Sequence, residues 1–246
     1  MKEKLKLQIE IFDTSQQIAS AVSAILLRQI QEKPESVLGF ATGSSPVETY
    51  QKLIEAHKSG KADFSHVTTF NLDEYCALSQ DDPHSYYAFM REQLFEPAGF
   101  NYDRVHFLSG DAPNHEDICS AYRADIERCG GIDIQLLGIG RNGHIGFNEP
   151  SDRFSDGPFM VELADSTLEA NARFFENGTP PRYALTMGIG DIMAAKKILL
   201  IATGESKAQA IRAMVQGEVT PQCPASVLQT HPDATIFLDK KSASLL

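Results

Sequence analysis

Residues 136–150, LLGIGRNGHIGFNEP, turn from an apolar run into glycine, amide, histidine and carboxylate. An imidazole carries protons near neutral pH, but it needs a neighbour to fix its tautomer and steady its cation. His144 has two such neighbours in sequence, Asn142 and Glu149. Gly140, Gly143 and Gly146 let the backbone take positive φ or pass close to a ligand, and Pro150 keeps a helix from starting inside the loop. With the apolar stretch 132–139 before it, the segment reads as a buried strand ending in a reactive loop. The spacing of Gly138, Gly140 and Gly143 also fits GxGxxG. That motif binds a dinucleotide only between a strand and a helix, and HIGFNEP supplies no helix.

Three other places carry chemistry. An apolar run at 37–41 is followed by Thr42-Gly43-Ser44-Ser45-Pro46 and then by a helical pattern through Tyr50, Leu53 and Ile54. Backbone N–H groups, the hydroxyls of Ser44 and Ser45, and the helix dipole would converge there on an anion. The loop lacks a P-loop lysine, so a nucleoside triphosphate is not expected; the plain alternative is Ser45 as an ordinary helix cap. Asp73 follows the strand-like run 67–72, where open α/β sheets bind ligands, and is a candidate general base. The alternative is that Asp73 and Glu74 merely solvate a loop. Lys207 stands in the turn 203–207 after an apolar run, placed either to reach an anion or to remain a surface charge.

The elements that must position these groups alternate. Residues 5–12 alternate with period two, as a strand with one buried face. Asp13 or Thr14 can cap the following helix, whose apolar positions include Ile18, Val22, Ile25 and Leu26. Helices are predicted at 84–95, 116–129, 189–195, 208–215 and 225–230, and strands at 104–108, 183–187, 197–202 and 234–239. Gly130-Gly131 stops the 116–129 helix. Residues 151–181 are polar and broken by Gly and Pro, an excursion able to serve as a lid. The expectation is a single α/β domain over 1–246: a doubly wound, mostly parallel sheet with helices on both faces and a lid insertion.

Composition narrows the partners. The chain has 246 residues, 42% hydrophobic and 22% charged, with a net charge of −11, which argues against nucleic acid. No apolar run approaches the about twenty residues of a membrane span, and no signal pattern opens the chain, so a cytoplasmic protein is expected. Cys76, Cys119, Cys129 and Cys223 lack CxxC spacing and read as reduced thiols.

The segments 69–75 (TFNLDEY), 140–150 (GRNGHIGFNEP) and 169–175 (EANARFF) closely resemble the glucosamine-6-phosphate deaminase family. The ATGSSP loop at 41–46 and the TGESKA turn at 203–208 look like that family's phosphate-contacting segments. The resemblance implies conversion of D-glucosamine 6-phosphate and water to D-fructose 6-phosphate and ammonia, with no metal or organic cofactor. By resemblance, His144 opens the sugar ring, Glu149 and Asn142 orient it, and Asp73 moves the C2 proton. Gly43, Ser44, Ser45, Arg173 and Lys207 would clamp the phosphate. Some family members carry aspartate where this chain has Asn142; an amide still hydrogen-bonds His144 but cannot stabilise its cation, so Glu149 is expected to be its main partner. The short tail after Asp239 suggests a monomer or low-order homo-oligomer. Alternatives are galactosamine-6-phosphate deaminase, 6-phosphogluconolactonase and a non-catalytic sugar-phosphate sensor. A metal hydrolase is disfavoured because no second histidine sits at ligand spacing.

Overall fold

The computed structural model describes residues 5, 7–175 and 179–246. Strand β1 (Gln8–Phe12) leads into α1 (Ser15–Glu32), which Thr14 opens with a capping box closed by Gln17. Then follow β2 (Val37–Phe40), α2 (Val47–Lys58), β3 (Thr68–Asn71) and the three-residue β4 (Asp73–Tyr75). The helix α3 (Tyr86–Met90) continues as a π-helical turn, Arg91–Phe95, before β5 (Val105–His106), α4 (His115–Arg128) and β6 (Ile134–Leu137). The chain goes on through β7 (Phe159–Glu162), α5 (Asp165–Asn171), β8 (Tyr183–Thr186) and α6 (Ile189–Met193). It finishes with β9 (Lys197–Ala202), α7 (Ala208–Gln216), a 3-10 turn over Pro224–Thr230 and β10 (Ala234–Asp239).

Seven strands form one parallel sheet in the order β1-β10-β9-β6-β2-β3-β5. Alternate residues of each central strand feed opposite cores. Leu38, Ile134, Leu136, Leu199 and Phe237 pack with Val22 and Leu26 of α1 and Leu53 of α2. Val37, Leu137, Leu200 and Ile236 face the other way, against Tyr122 of α4, Ile192 of α6 and Met214 of α7. This is the doubly wound arrangement read from the sequence.

Three expectations are corrected. The sheet is not alone: β4, β8 and β7 make a second, antiparallel sheet, so Asp73-Glu74-Tyr75 is strand rather than loop, and part of the expected lid is strand as well. The strand expected at 104–108 shortens to Val105–His106. β1 has no well-buried face, because it is an edge strand; Ile9 and Phe12 are half-buried against the two cores, and Ile11 is exposed.

At the amino ends of the strands, buried Asp133 accepts from the Val37 N–H (2.8 Å), Lys33 Nζ (2.6 Å) and Lys196 Nζ (2.7 Å). Burial works to raise this carboxyl, but Lys196, Lys33 and the Val37 N–H outweigh it and hold it below the usual range. A depressed carboxyl contributes stability above its unfolded pKa and loses it as pH falls through the folded one. Asp133→Ala should therefore destabilise the protein by about 2 kcal/mol in urea titrations at neutral pH, with the gap to wild type closing below about pH 4.

Candidate active site

Strand order reverses between β2 and β6, and a cleft of about 310 Å³ opens there over the carboxyl ends of the sheet. Gly43, Ser44, Ser45, Asp73, Asn142, His144, Arg173 and Lys207 all line it. Of the catalytic and phosphate-clamping residues expected from the sequence, Glu149 alone stands back from the wall, behind the imidazole, with its side chain 9% exposed.

The loop after β6 contains no helix, which removes the dinucleotide reading of its glycines. It folds on itself through Gly143 N–H to the Gly140 carbonyl and Gly140 N–H to the His144 carbonyl. Gly140 is needed for space: a Cβ there would lie 2.4 Å from His144 Cε1. Gly143 is needed for conformation and space together, with φ of +87° and Cys223 Sγ 2.8 Å from where a Cβ would sit.

The imidazole Nδ1 lies 3.3 Å from Glu149 Oε2. Asn142 Nδ2 donates to that same oxygen at 2.6 Å, while Asn142 Oδ1 accepts from the His144 backbone N–H at 3.2 Å. The expected amide-to-histidine bond thus exists, but it meets the backbone, and the amide side of Asn142 serves Glu149. Burial tends to raise the Glu149 carboxyl; the His144 hydrogen bond and charge, with bonds from Thr167 and Asn142, outweigh it and hold it below the ordinary range.

Asp73 and Glu74 alternate off β4 and are both buried, so neither solvates a loop. Glu74 accepts from three backbone N–H groups, those of Tyr75 (2.8 Å), Tyr86 (2.9 Å) and Tyr87 (2.9 Å), and pins α3 to the strand. Burial nonetheless lifts it to about 7 against those bonds. Asp73 sits beside Gly146, with Oδ2 3.6 Å from the position of a Cβ on that glycine. Burial first, and the Glu74 charge second, push Asp73 up to about 8. A carboxylate held in this state is a strong base once it ionises.

The other end of the cleft is cationic. Lys207 Nζ donates to the Ile139 carbonyl at 2.6 Å, and burial, then the charges of Arg141 and Arg173, push its ammonium pKa down. The Arg173 guanidinium lies over the Phe174 ring, 4.7 Å from its centroid. Gly43, also on the cleft wall, takes φ of +89°, and α2 has Pro46 as its N-cap with no side-chain cap, so Ser45 is not the ordinary cap considered above.

Sequence reasoning missed Arg141, Tyr86 and Thr167, all on the cleft wall. Arg141 lay inside the reactive loop and its charge was the available signal; Thr167 belongs to a polar stretch where nothing marked one hydroxyl over another. α5 and the turn Ala172–Phe174 wall the cleft within the segment expected as a lid, of which residues 176–178 lie outside the described residues. Among the described residues, no three His, Cys, Asp or Glu side chains are grouped to hold a metal ion, and no helix is long and apolar enough to cross a membrane.

Fold and cleft together describe an α/β enzyme whose cleft groups a buried carboxyl, an imidazole–carboxylate pair and a set of cations. The chain belongs to the family of glucosamine-6-phosphate isomerases and 6-phosphogluconolactonases, whose model matches residues 12–237. A glucosamine-6-phosphate deaminase of Shewanella loihica is 50% identical over 241 residues, 98% of this chain and 90% of that one. Glucosamine-6-phosphate deaminase 2 of Bacillus subtilis is 48% identical over 244 residues, 98% of each. The solved structure of a monomeric glucosamine-6-phosphate deaminase superposes with a TM-score of 0.95 at 41% identity, covering 98% of this chain and 100% of that one. A 6-phosphogluconolactonase of Trypanosoma brucei shares the fold, with a TM-score of 0.80 at 20% identity over 98% of this chain and 99% of that one.

Two outcomes follow from the geometry. Gly140→Ala should push the imidazole off Glu149 and lower turnover by about 10² or more, with far-UV circular dichroism unchanged. Asp73 is raised in the folded state, so its ionisation opposes folding as pH climbs from about 4 toward 8. Asp73→Asn should accordingly melt higher than wild type at pH 8, and the difference should vanish below pH 4, read by calorimetry.

Proposed function

We propose that this chain is a glucosamine-6-phosphate deaminase, converting D-glucosamine 6-phosphate and water to D-fructose 6-phosphate and ammonia. The observation that carries the reading is one cleft holding a buried base, Asp73, and a His144–Glu149 pair, with cations at its far end. Relatives bearing the deaminase name at 48–50% identity support it, whereas the lactonase of known structure matches at 20%.

The phosphate binds to Lys207, Arg173, the hydroxyls of Ser44 and Ser45 and the amide of Gly43, and its binding energy holds the carbon frame for proton transfer. His144 gives a proton to the ring oxygen and takes one from the C1 hydroxyl, opening the pyranose to an aldehyde. Glu149 keeps the imidazole oriented, and Asn142 keeps Glu149 in place. The C2 ammonium of the substrate favours ionised Asp73, offsetting what burial does to it. Asp73 then removes the C2 proton while one proton of the C2 ammonium passes to O1, giving an enolamine, and Asp73 returns its proton to C1. C2 is now an iminium; water adds to it and ammonia leaves, completing the ketose. The oxidation at C2 is matched by the reduction at C1, so no outside oxidant enters.

A lactonase needs no base for a carbon-bound proton, and a sensor needs neither carboxylate. The reading extends to residues 151–181 as a lid over one domain spanning 1–246, to a monomer like the solved neighbour, and to a cytoplasmic setting suited to four free thiols.

The test is ammonia and ketose 6-phosphate release from glucosamine 6-phosphate and galactosamine 6-phosphate in parallel, with chelator present. Wild type should turn over the gluco epimer, and Asp73→Asn should lose about 10²–10⁴ in rate. The acid limb of kcat/KM should fall toward pH 8, where free Asp73 ionises, rather than in the ordinary carboxylate range. Release from neither sugar, or full activity in Asp73→Asn, would overturn the reading.

A further inference from the structure

Glu149 is held by more than the two partners the mechanism uses. Its Oε2 is shared between Asn142 Nδ2 at 2.6 Å and the His144 Nδ1 at 3.3 Å. Its Oε1 accepts from Thr167 Oγ1 at 2.6 Å and from the Ala164 N–H at 3.4 Å, and both of these donors come from the start of α5. An ionised carboxylate is acceptor-only, so the short Thr167 contact is a donated, charge-assisted hydrogen bond. Thr167 is 4% exposed, and its oxygen lies 3.5 Å from His144 Nδ1, at the limit of a bond.

A carboxylate held at one oxygen alone turns about its last bond, a broad and soft torsion. Oε2 would then drift between Asn142 and the imidazole. Holding Oε1 removes that freedom. The same helix is tied down one turn later, where Asn171 Nδ2 donates to Tyr75 Oη at 2.9 Å, and Tyr75 belongs to the strand that carries Asp73. Thr167 and Asn171, four residues apart, share a face of α5, and so one short helix is fastened to both halves of the acid–base machinery.

We propose that Thr167 is a positioning residue: its hydroxyl, delivered by α5, fixes the Glu149 carboxylate and through it the His144 imidazole. This rests on the deaminase reading for its kinetic arm only. In Thr167→Val, which keeps the side chain's shape and removes the donor, kcat should fall about tenfold while KM stays within about twofold, because the phosphate clamp is untouched. The Glu149 carboxyl, followed by carbon-13 NMR with specific labelling, should titrate higher than in wild type, since a hydrogen bond to its charged form is gone. Thr167→Ser, which restores the hydroxyl, should return both quantities to near wild type. Wild-type kcat with an unmoved Glu149 titration in Thr167→Val would overturn the proposal. So would equal losses in the valine and serine variants, which would mark a packing role. If wild type releases no ammonia, the functional reading fails, and the Glu149 titration still decides the role of Thr167.

Discussion

The contact between β2 and β6 is the constraint on which the rest depends. Their register sets Leu38 beside Ile134 and Gly39 beside Gln135, and the Gln135 side chain occupies the space over Gly39; a Cβ on that glycine would lie 1.9 Å from Gln135 Oε1. Because the strands are parallel, their carboxyl ends arrive at one edge together, and because the winding reverses between them, the loops that follow diverge. The crevice is therefore a product of topology. What fills it is decided by what each strand end carries: hydroxyls and free amides after β2, a carboxylate after β3, imidazole after β6 and ammonium after β9.

Electrostatically the molecule is divided. Its net charge is −11, yet three cations meet in the cleft, where half-buried Lys207 feels the charges of Arg141 and Arg173. Elsewhere Asp73 and Glu74 are buried side by side on β4, where burial makes both harder to ionise and the Glu74 charge adds to the effect on Asp73. Both arrangements oppose folding in the empty protein, and both are relieved by a ligand that is anionic at one end and cationic near the other. An amino-sugar phosphate has that pattern of charge.

Much of this was legible in the residues. Periodicity located the helices around Val22, Leu53 and Tyr122, and the runs ending at Ala41, Leu72 and Ile139 marked strand ends with reactive chemistry beyond them. Long-range pairing was not legible. Nothing in Asp73-Glu74-Tyr75 announces that it will lie antiparallel to Tyr183–Thr186, since a three-residue strand exists only by virtue of its partner. The edge position of β1 was hidden for the same reason: alternation reads as one buried face whether or not a helix covers it. That Asn142 would meet His144 at the backbone N–H and give its amide N–H to Glu149 was not legible, because a side chain's partner depends on loop geometry that two glycines set.

The pairing of β1 with β10 has a consequence for how the chain reaches this state. Gln8–Phe12 is hydrogen-bonded to Ala234–Asp239 and, among the described residues, to no other strand of the sheet, so β1 can be paired only after a strand far along the chain has emerged. On a ribosome the nascent chain must therefore keep Ile9, Ile11 and Phe12 without their strand partner for as long as β10 is still to be made, an apolar edge that stays open through most of synthesis.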